Sequence, residues 1–510
     1  MRFFAFGGII TMNILIVGNG FDLSHYLPTK YDHFMLVMKA IEKKDLEKPI
    51  KDVLYSPFEH PIHLFTKYFQ IARAMDKKTY QMNFDDLFSE LKKPQDINFI
   101  KNTKRNYKTS KINLAEEKIK QIQKQLNKNN WYQYFKNHVE EIKTWIDFEQ
   151  KIDECLQVVN NFFEINNKNY EKQGWQNLAI RHDRKNEESC MFLSKKNCEI
   201  LNFFGLVQNL HDLEQDDDFL QYSYLGASYV INKCYLYSND ANHNLNYQDI
   251  IHKLYLELEE FIDIFNFYLI EIVDNFIPVE QLEIIHSDFD FISKIYSFNY
   301  TNTYEKFYGK TKDIEFLHGR IGHSHNLVLG ISDINLDFFK KFKAYGFSKY
   351  HQKLHKDTQY QFLTPEIDTI EVIRKELNQL KEKINEPIEL ILGESSEKYE
   401  INRFNELVYD LQKKIKKIYI WGHSLDRSDA SYIKEIFSFN FEKVAHSIEV
   451  IIFYYDEWAK FELLNNLLDI LGKDIVEKWM KKGWLKFEQN PDIAKLNNIE
   501  PVELSKLAEA

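Results

Sequence analysis

The chain of 510 residues is poor in the residues that interrupt helices and form tight turns. It contains 16 glycines and 10 prolines, together less than half of the roughly 12% that is typical of proteins. This scarcity excludes a collagen-like fibre and argues against a turn-rich all-β fold. Because 44% of the residues are hydrophobic, the chain can bury a large core, which excludes wholesale disorder.

Cysteine and excess positive charge are also lacking. The chain has 4 cysteines, and they form no C-x-x-C pair. This excludes a zinc ribbon of the usual spacing and a disulfide scaffold, and it fits a reducing compartment, so we expect a cytoplasmic protein. The 66 lysines and arginines are outnumbered by 77 aspartates and glutamates, for a formal net charge of −11. Proteins that bind nucleic acid usually carry a net positive charge, so we do not expect nucleic acid as a partner.

Long apolar runs are rare. Met1–Gly18 resembles a signal peptide, but it continues into Gly18–Asp22 without a small-residue cleavage site. Met12 is an alternative start, which leaves open whether residues 1–11 belong to the native protein. No other stretch has about 18 uninterrupted apolar residues, so we expect no membrane span.

Short apolar runs separated by helical stretches indicate an α/β fold. Asn13–Val17 is a β-branched run that ends at Gly18, as a buried parallel strand does before a ligand loop. Helical periodicity dominates from about residue 30 to about residue 290. Strand-like runs return at Ile292–Phe298, Ile314–Leu317, Leu327–Ile331, Ile418–Trp421 and Ile448–Tyr454.

We therefore predict a Rossmann-like parallel sheet interrupted by a large, mainly helical insertion. The predicted α/β domain comprises residues 12–34 and 291–460, the insertion residues 35–290, and a C-terminal extension residues 461–510. Within the insertion, Trp145–Glu149 indicates an amphipathic helix. Asp147 and Glu149 cannot share a face of it, so we expect Trp145 to pack in the core and one acid to reach toward the α/β site.

Four loops follow strand-like runs, where ligands bind in open parallel sheets. In the first, Gly18–Asp22, two glycines would let backbone N–H groups approach a phosphate. The third glycine of the dinucleotide fingerprint is missing, so a tight strand–helix turn remains the alternative. In the second, Ser297–Thr303, amides and hydroxyls could orient a sugar or a water, or cap the next helix.

The third and fourth loops carry histidines. In Leu317–Gly319, His318 is accessible as a general base. His323 and His325 suggest a metal, but no acid or thiol has suitable spacing, so none is predicted. The fourth, Trp421–Asp426, resembles a nucleophile elbow, yet Asp426 replaces its second glycine and no histidine follows His446. A nucleotide-contacting loop at a helix N-terminus explains these residues better.

These motifs together resemble the bacteriophage abortive infection family AbiH, in an order that spans nearly the whole chain. The motifs are Gly18–Asp22 with Leu27–Thr29, Trp145–Glu149, Ser297–Glu305, Leu317–Gly319 and Trp421–Asp429. The resemblance implies a role in protecting a bacterial population against phage.

A more distant resemblance, to sirtuins and sirtuin-like NADases, concerns the loops alone. Asn299 falls on the motif asparagine of those proteins, His318 on their H-G histidine, and Gly422–Leu425 on their G-T-S-L. This resemblance implies a sirtuin-like domain that binds NAD or a related nucleotide. Thr301 stands where sirtuins have an aspartate, and the zinc-binding cysteine pairs are absent, so deacetylation is not expected and the substrate stays open.

The resulting hypothesis is an antiphage effector that hydrolyses NAD or a related nucleotide and needs no cofactor. Asn299 would orient ribose or water, and His318 would act as the base. The ligand-binding residues expected are Gly18, Asn19, Gly20, Phe21, Asp22, Thr301, Gly422, His423, Ser424 and Asp426.

The expected partners are the nucleotide and a phage trigger, and self-association is left open. One alternative is a non-catalytic nucleotide sensor that controls a partner through the helical region. Another is an RNA-cleaving toxin that uses the basic stretch Lys101–Lys128, although a solvated surface explains that stretch better.

Overall fold

Six parallel strands form the main sheet of the computed structural model. They are β1 (Asn13–Val17), β2 (Ile292–Ser297), β3 (Asp313–Phe316), β4 (Lys417–Trp421), β5 (Glu449–Tyr454) and β6 (Leu485–Gln489). Their order in space is β3-β2-β1-β4-β5-β6, and every neighbouring pair is parallel. Leu15 of β1 is in register with Ile295 of β2 and Tyr419 of β4. The prediction of a parallel α/β sheet is confirmed.

The structure describes most of the chain, in segments. These are residues 13–48, 63–139, 141–142, 145–169, 178–182, 191–212, 226–237, 245–282, 292–309, 313–322, 326–358, 361–385, 399–407, 417–438 and 448–496. His323 and His325 lie outside these segments. No helix within them is long and apolar enough to cross a membrane.

Both faces of the sheet are covered, which explains why its central strands are apolar without alternation. One face, which includes Ile14 and Ile420, packs against helices that follow the strands in sequence. Those helices are Thr364–Asn385, Ala430–Ile436, Glu457–Leu471 and Lys473–Lys481. The other face, which includes Leu15 and Trp421, packs against Phe21 and Tyr304, from the short helices Asn19–Ser24 and Thr303–Tyr308.

A mainly helical region lies between β1 and β2 in sequence and has its own core. Its helices are Tyr31–Lys43, His63–Met75, Phe84–Leu87, Pro94–Asn106, Glu116–Lys128, Asn130–Asn137, Trp145–Asn169, Lys195–Phe203 and Tyr247–Tyr268, followed by a π-helical turn, Leu269–Val273. It also contains short strands: Met82–Asn83 pairs with Asn113–Leu114, and Ala179–Arg181, Met191–Phe192, Val207–Asn209 and Tyr229–Ile231 form a four-stranded sheet.

Further helices and 3-10 turns complete the described fold. The helices Asp337–Lys341, Lys349–His355 and Ile493–Leu496 follow β3 and β6. The 3-10 turns are Lys77–Tyr80, Thr109–Lys111, Leu210–Asp212, Lys233–Tyr235, Tyr345–Phe347 and Arg427–Asp429.

Two segments differ from the expectation based on hydrophobic runs. The prediction of a strand at Leu327–Ile331 is wrong: only Ile331 forms a bridge, to Ser348. The run is apolar because Leu327 and Leu329 are buried in the core of the helical region. Conversely, β6 lies in the segment assigned to the C-terminal extension, where no strand was predicted. It is an edge strand, and its polar, half-exposed residues do not form an apolar run.

The loops after β1 and β4 pack backbone to backbone. The N–H of Gly18 donates to the carbonyl of Trp421 (3.0 Å), and that of Gly20 donates to the carbonyl of Gly422 (2.8 Å). Gly422 has a φ of +72°, and a Cβ atom built on it would lie 2.1 Å from the backbone nitrogen of Phe21. Glycine is required here both by the conformation and by the close approach.

Gly422→Ala should therefore destabilise the protein more than an alanine at another glycine of positive φ. Gly483 has a φ of +69° and nothing within 4 Å of an added Cβ, so Gly483→Ala should cost about 1–2 kcal/mol of left-handed strain. Gly422→Ala adds overpacking, for a total of about 2–5 kcal/mol. Urea unfolding of both variants measures the difference. Equal losses would show that the two loops are not in this close contact.

Candidate functional site

The carboxyl ends of β1 to β4 meet at one edge of the sheet, and two polar clusters lie there. The first cluster joins the loops after β1 and β2. Thr301 Oγ1 donates to Asp22 Oδ2 at 2.5 Å and lies 3.2 Å from Thr303 Oγ1. Asn299 Nδ2 donates to the carbonyl of Gly18 at 2.9 Å. Three predicted site residues, Asp22, Asn299 and Thr301, are thus brought together.

Asp22 is nearly inaccessible, with 1% of its surface exposed. Burial raises its pKa from 3.8 to about 6, although hydrogen bonds from Thr301, Thr303 and Asn299 favour the charged form. Its Oδ1 atom has no hydrogen-bond partner among the described residues. A carboxyl group with a pKa this close to neutrality can exchange a proton under physiological conditions.

A small cavity adjoins the first cluster. Its lining includes Asp22, Asn299, Thr301 and Tyr304, and its volume is about 10 Å³. This is about the space that one water molecule occupies. The cavity is too small for a nucleotide.

The second cluster is centred on the carboxylate of Asp429, at the start of the Ala430–Ile436 helix. His318 Nε2 lies 3.3 Å from Asp429 Oδ1, and His423 Nε2 lies 3.5 Å from Asp429 Oδ2. All three side chains are buried, so the expectation of an accessible imidazole at His318 is wrong. Phe298 contacts both imidazoles, with its ring centroid 5.2 Å from that of His318 and 4.1 Å from that of His423.

A lysine and a glutamate complete the second cluster. Lys349 Nζ lies 3.8 Å from Asp429 Oδ1, 2.7 Å from Glu149 Oε1 and 3.2 Å from Ser428 Oγ. Glu149 belongs to the Trp145–Asn169 helix, and Trp145 of the same helix packs against the core of the helical region. The structure thus brings one acid of the motif to the α/β site, as expected. Within the described residues, no group of three or more His, Cys, Asp and Glu is arranged to hold a metal ion.

Burial and neighbouring charges together set the protonation states in the second cluster. Burial and nearby Lys353 lower the pKa of His318 to about 3, so its imidazole is neutral. Burial alone would raise the pKa of Asp429, but the positive charge of Lys349 holds it well below its usual range. Burial raises the pKa of Glu149 to about 7, despite its contact with Lys349. Near neutral pH, Asp429 is therefore a carboxylate and Glu149 is poised to titrate.

The other predicted ligand residues have structural contacts. Phe21 packs edge-on against Trp421, with ring centroids 5.1 Å apart. Asp426 caps the 3-10 turn by accepting from Ser428 N at 2.9 Å. Ser424 is exposed, and Asn19 is half-exposed at the start of a short helix. Their role in ligand binding stays a prediction.

Comparison with known protein families identifies the chain's relatives. The family model AbiH, described as bacteriophage abortive infection AbiH, matches residues 14–455. The chain belongs to the AbiH family. Membership indicates a function in phage abortive infection. No curated protein and no solved structure matches this AbiH chain.

Sequence reasoning missed Lys349 and Lys353 of this AbiH protein. Both lie on the Lys349–His355 helix, one turn apart, and both are buried. Nothing in the sequence separates them from other lysines of the same charged stretch. The one hint of burial in the sequence is the apolar residues on either side, Tyr345–Phe347 before the two lysines and Phe362 and Leu363 after them.

Asp22→Asn should stabilise the AbiH protein at pH 8 but hardly at pH 4. The folded state binds the Asp22 proton more tightly than the unfolded chain, because its pKa is raised to about 6. The free energy of unfolding therefore falls as pH rises from about 4 to about 6, and the penalty above that range is about 3 kcal/mol. Asparagine removes the charge and still accepts from Thr301.

Thermal unfolding at both pH values measures this effect. Asp85→Asn is the matched control, because Asp85 is exposed and paired only at the surface with Lys104, and it should change little at either pH. A gain for Asp22→Asn that is the same at pH 4 and pH 8 would contradict the raised pKa.

Proposed function

We propose that this AbiH protein is a cytoplasmic antiphage effector that binds NAD or a related nucleotide at the carboxyl edge of its sheet and hydrolyses it. The observation that carries the proposal is the convergence of the loops after β1, β2, β3 and β4. Asn299 reaches the first loop through Gly18, and His318 and His423 both face Asp429.

The strand order supports a nucleotide as the ligand. Counted along the chain, the order is 3-2-1-4-5-6, which is the order of doubly wound sheets that bind dinucleotides. In such sheets the ligand lies outside the carboxyl ends of the strands, where the order reverses. Here that point lies between β1 and β4, at Gly18, Gly20 and Gly422. A Rossmann-like, sirtuin-like site is therefore our interpretation of this edge.

The chemistry proposed is hydrolysis of the nicotinamide–ribose bond. The C1′–N bond breaks to release neutral nicotinamide, water oxygen bonds to C1′, and the water proton passes to a base. Asn299 would hold a ribose hydroxyl or the water, and His318 is the proposed base. Asp429 would stabilise the imidazolium that forms, as the aspartate of a catalytic triad does.

The closed loops support an effector that is held inactive until infection. The N–H groups of Gly18 and Gly20 already donate to β4 and its loop, and the adjoining cavity is about the size of one water. We propose that ligand binding can open this edge and that turnover awaits a phage trigger.

A non-catalytic sensor is the second candidate, and one contact favours it. Glu149 of the helical region pairs with Lys349, which also lies near Asp429. A ligand that alters this contact would change how the helical region packs against the second cluster. Such a change could signal to a partner without any turnover of the ligand.

Nucleotide levels in infected cells test the proposal. In cells with the wild-type protein, infection should deplete NAD or a related nucleotide and yield ADP-ribose and nicotinamide, measured by mass spectrometry. His318→Ala should preserve the nucleotide and abolish protection, because loss of a general base lowers turnover about 10²–10⁴-fold. Asn299→Ala should do the same, because the ribose hydroxyl or the water is no longer held.

Exposed residues of the same types supply the controls. Asn137→Ala and His355→Ala should protect as well as the wild type, since both side chains lie on the surface. Full protection by Asn299→Ala and His318→Ala would contradict the catalytic assignment. Protection without nucleotide loss in the wild type would favour the sensor.

A further inference from the structure

Lys353 is a buried cation that differs from its neighbours in its partners. Lys349 contacts Glu149 at 2.7 Å, and Lys356 contacts Glu259 at 3.0 Å. Lys353 is 8% exposed, and no carboxylate among the described residues lies within 4 Å of its ammonium. Its Nζ atom instead lies over the ring of Tyr432, 4.2 Å from the centroid.

This arrangement is unfavourable for the stability of the protein without ligand. A buried charge costs free energy unless an opposite charge compensates it, and a tyrosine face compensates only part of that cost. Burial accordingly lowers the pKa of Lys353 to about 8, with Lys349 adding to the shift and Asp429 and Glu149 opposing it. A buried charge that lowers the stability of the protein is better explained by a role in ligand binding than by packing.

The position of Lys353 places it at the candidate site. Tyr432, beneath its ammonium, packs edge-on against Phe298, with ring centroids 5.2 Å apart. Phe298 in turn contacts the imidazoles of His318 and His423. The positive charge of Lys353 also contributes to the low pKa of His318.

We propose that Lys353 binds a phosphate group of the nucleotide. This rests on the proposed function, and it names the residue that recognises the anionic part of the substrate. Lysine binds phosphate as a point charge through its ammonium donors. The phosphate supplies the negatively charged partner that the Lys353 ammonium lacks. The charge of Asp429 remains compensated by Lys349.

The bound phosphate would also prepare the site for chemistry. Neutralising Lys353 removes one of the charges that hold His318 neutral, so His318 becomes a stronger base when the ligand is present. Glu149, whose pKa is about 7, would take up a proton as the anion approaches. Substrate entry would thus activate the base that the empty site keeps weak.

Titration calorimetry of the full chain with pyrophosphate, ADP-ribose and NAD tests the inference. Lys353→Met should weaken binding of each ligand about tenfold or more, since a charge-assisted hydrogen bond is lost. The wild type should lose affinity above pH 8, where Lys353 loses its proton. Lys353→Arg should retain binding without that loss, because arginine does not titrate there. Lys340→Met, on the surface of a nearby helix, should bind as the wild type does.

Thermal unfolding separates ligand binding from a structural role. Lys353→Met should melt higher than the wild type, because it removes an uncompensated buried cation, whereas Lys349→Met should melt lower, because it leaves two carboxyl groups without their partner. A lower melting temperature for Lys353→Met together with unchanged affinity would overturn the inference.

The outcomes also separate this inference from the proposed function. Nucleotide binding that Lys353→Met leaves unchanged overturns the role of Lys353 and leaves the nucleotide function standing. Pyrophosphate binding that depends on Lys353, without binding of either nucleotide, supports the anion site and contradicts the nucleotide function. A wild-type protein that binds none of the three ligands overturns the inference.

Discussion

The contact between the Asp429 carboxylate and Lys349 is the interaction on which the candidate site depends. Both groups are buried, and a nearby opposite charge offsets part of the cost of burying each of them. Around this pair the chain gathers side chains from distant segments: His318 after β3, His423 after β4, and Glu149 from the helical region. If Asp429 loses its charge, Lys349 and the two imidazoles lose their common partner.

The backbone at the same edge imposes a second constraint. Gly18, Gly20 and Gly422 let the loops after β1 and β4 approach within hydrogen-bonding distance. The two donors that could face a phosphate are therefore already satisfied. The cations of the second cluster, rather than the glycine loop, supply the positive charge at this edge, and the loops after β1 and β4 are closed against each other.

Sequence patterns predicted the central sheet because four of its strands are buried, apolar runs. They failed for β6, where only Leu485 and Phe487 are apolar and three of the five residues are polar. They also failed for Leu327–Ile331, whose apolar residues pack in the core of the helical region. The loop residues of the site were predictable because they directly follow the strands.

The remaining site residues were not predictable, for a physical reason. Lys349 and Lys353 are distinguished by their burial, and burial depends on tertiary packing that a single lysine in a charged segment does not reveal. Glu149 was expected to approach the site only as one of two acids. Asp429 was visible as part of the Trp421–Asp429 motif, but its central position depends on the helices that surround it.

The free energy of unfolding of Asp429→Asn, compared with that of Asp426→Asn, tests the account most directly. Asn and Asp cap helical turns equally well, so Asp426→Asn, at a half-exposed cap, should change stability by less than about 0.5 kcal/mol. Asp429→Asn leaves the buried Lys349 charge with Glu149, whose pKa is about 7, and should cost about 3–5 kcal/mol. Similar small losses in both variants would contradict the claim that Asp429 anchors the site.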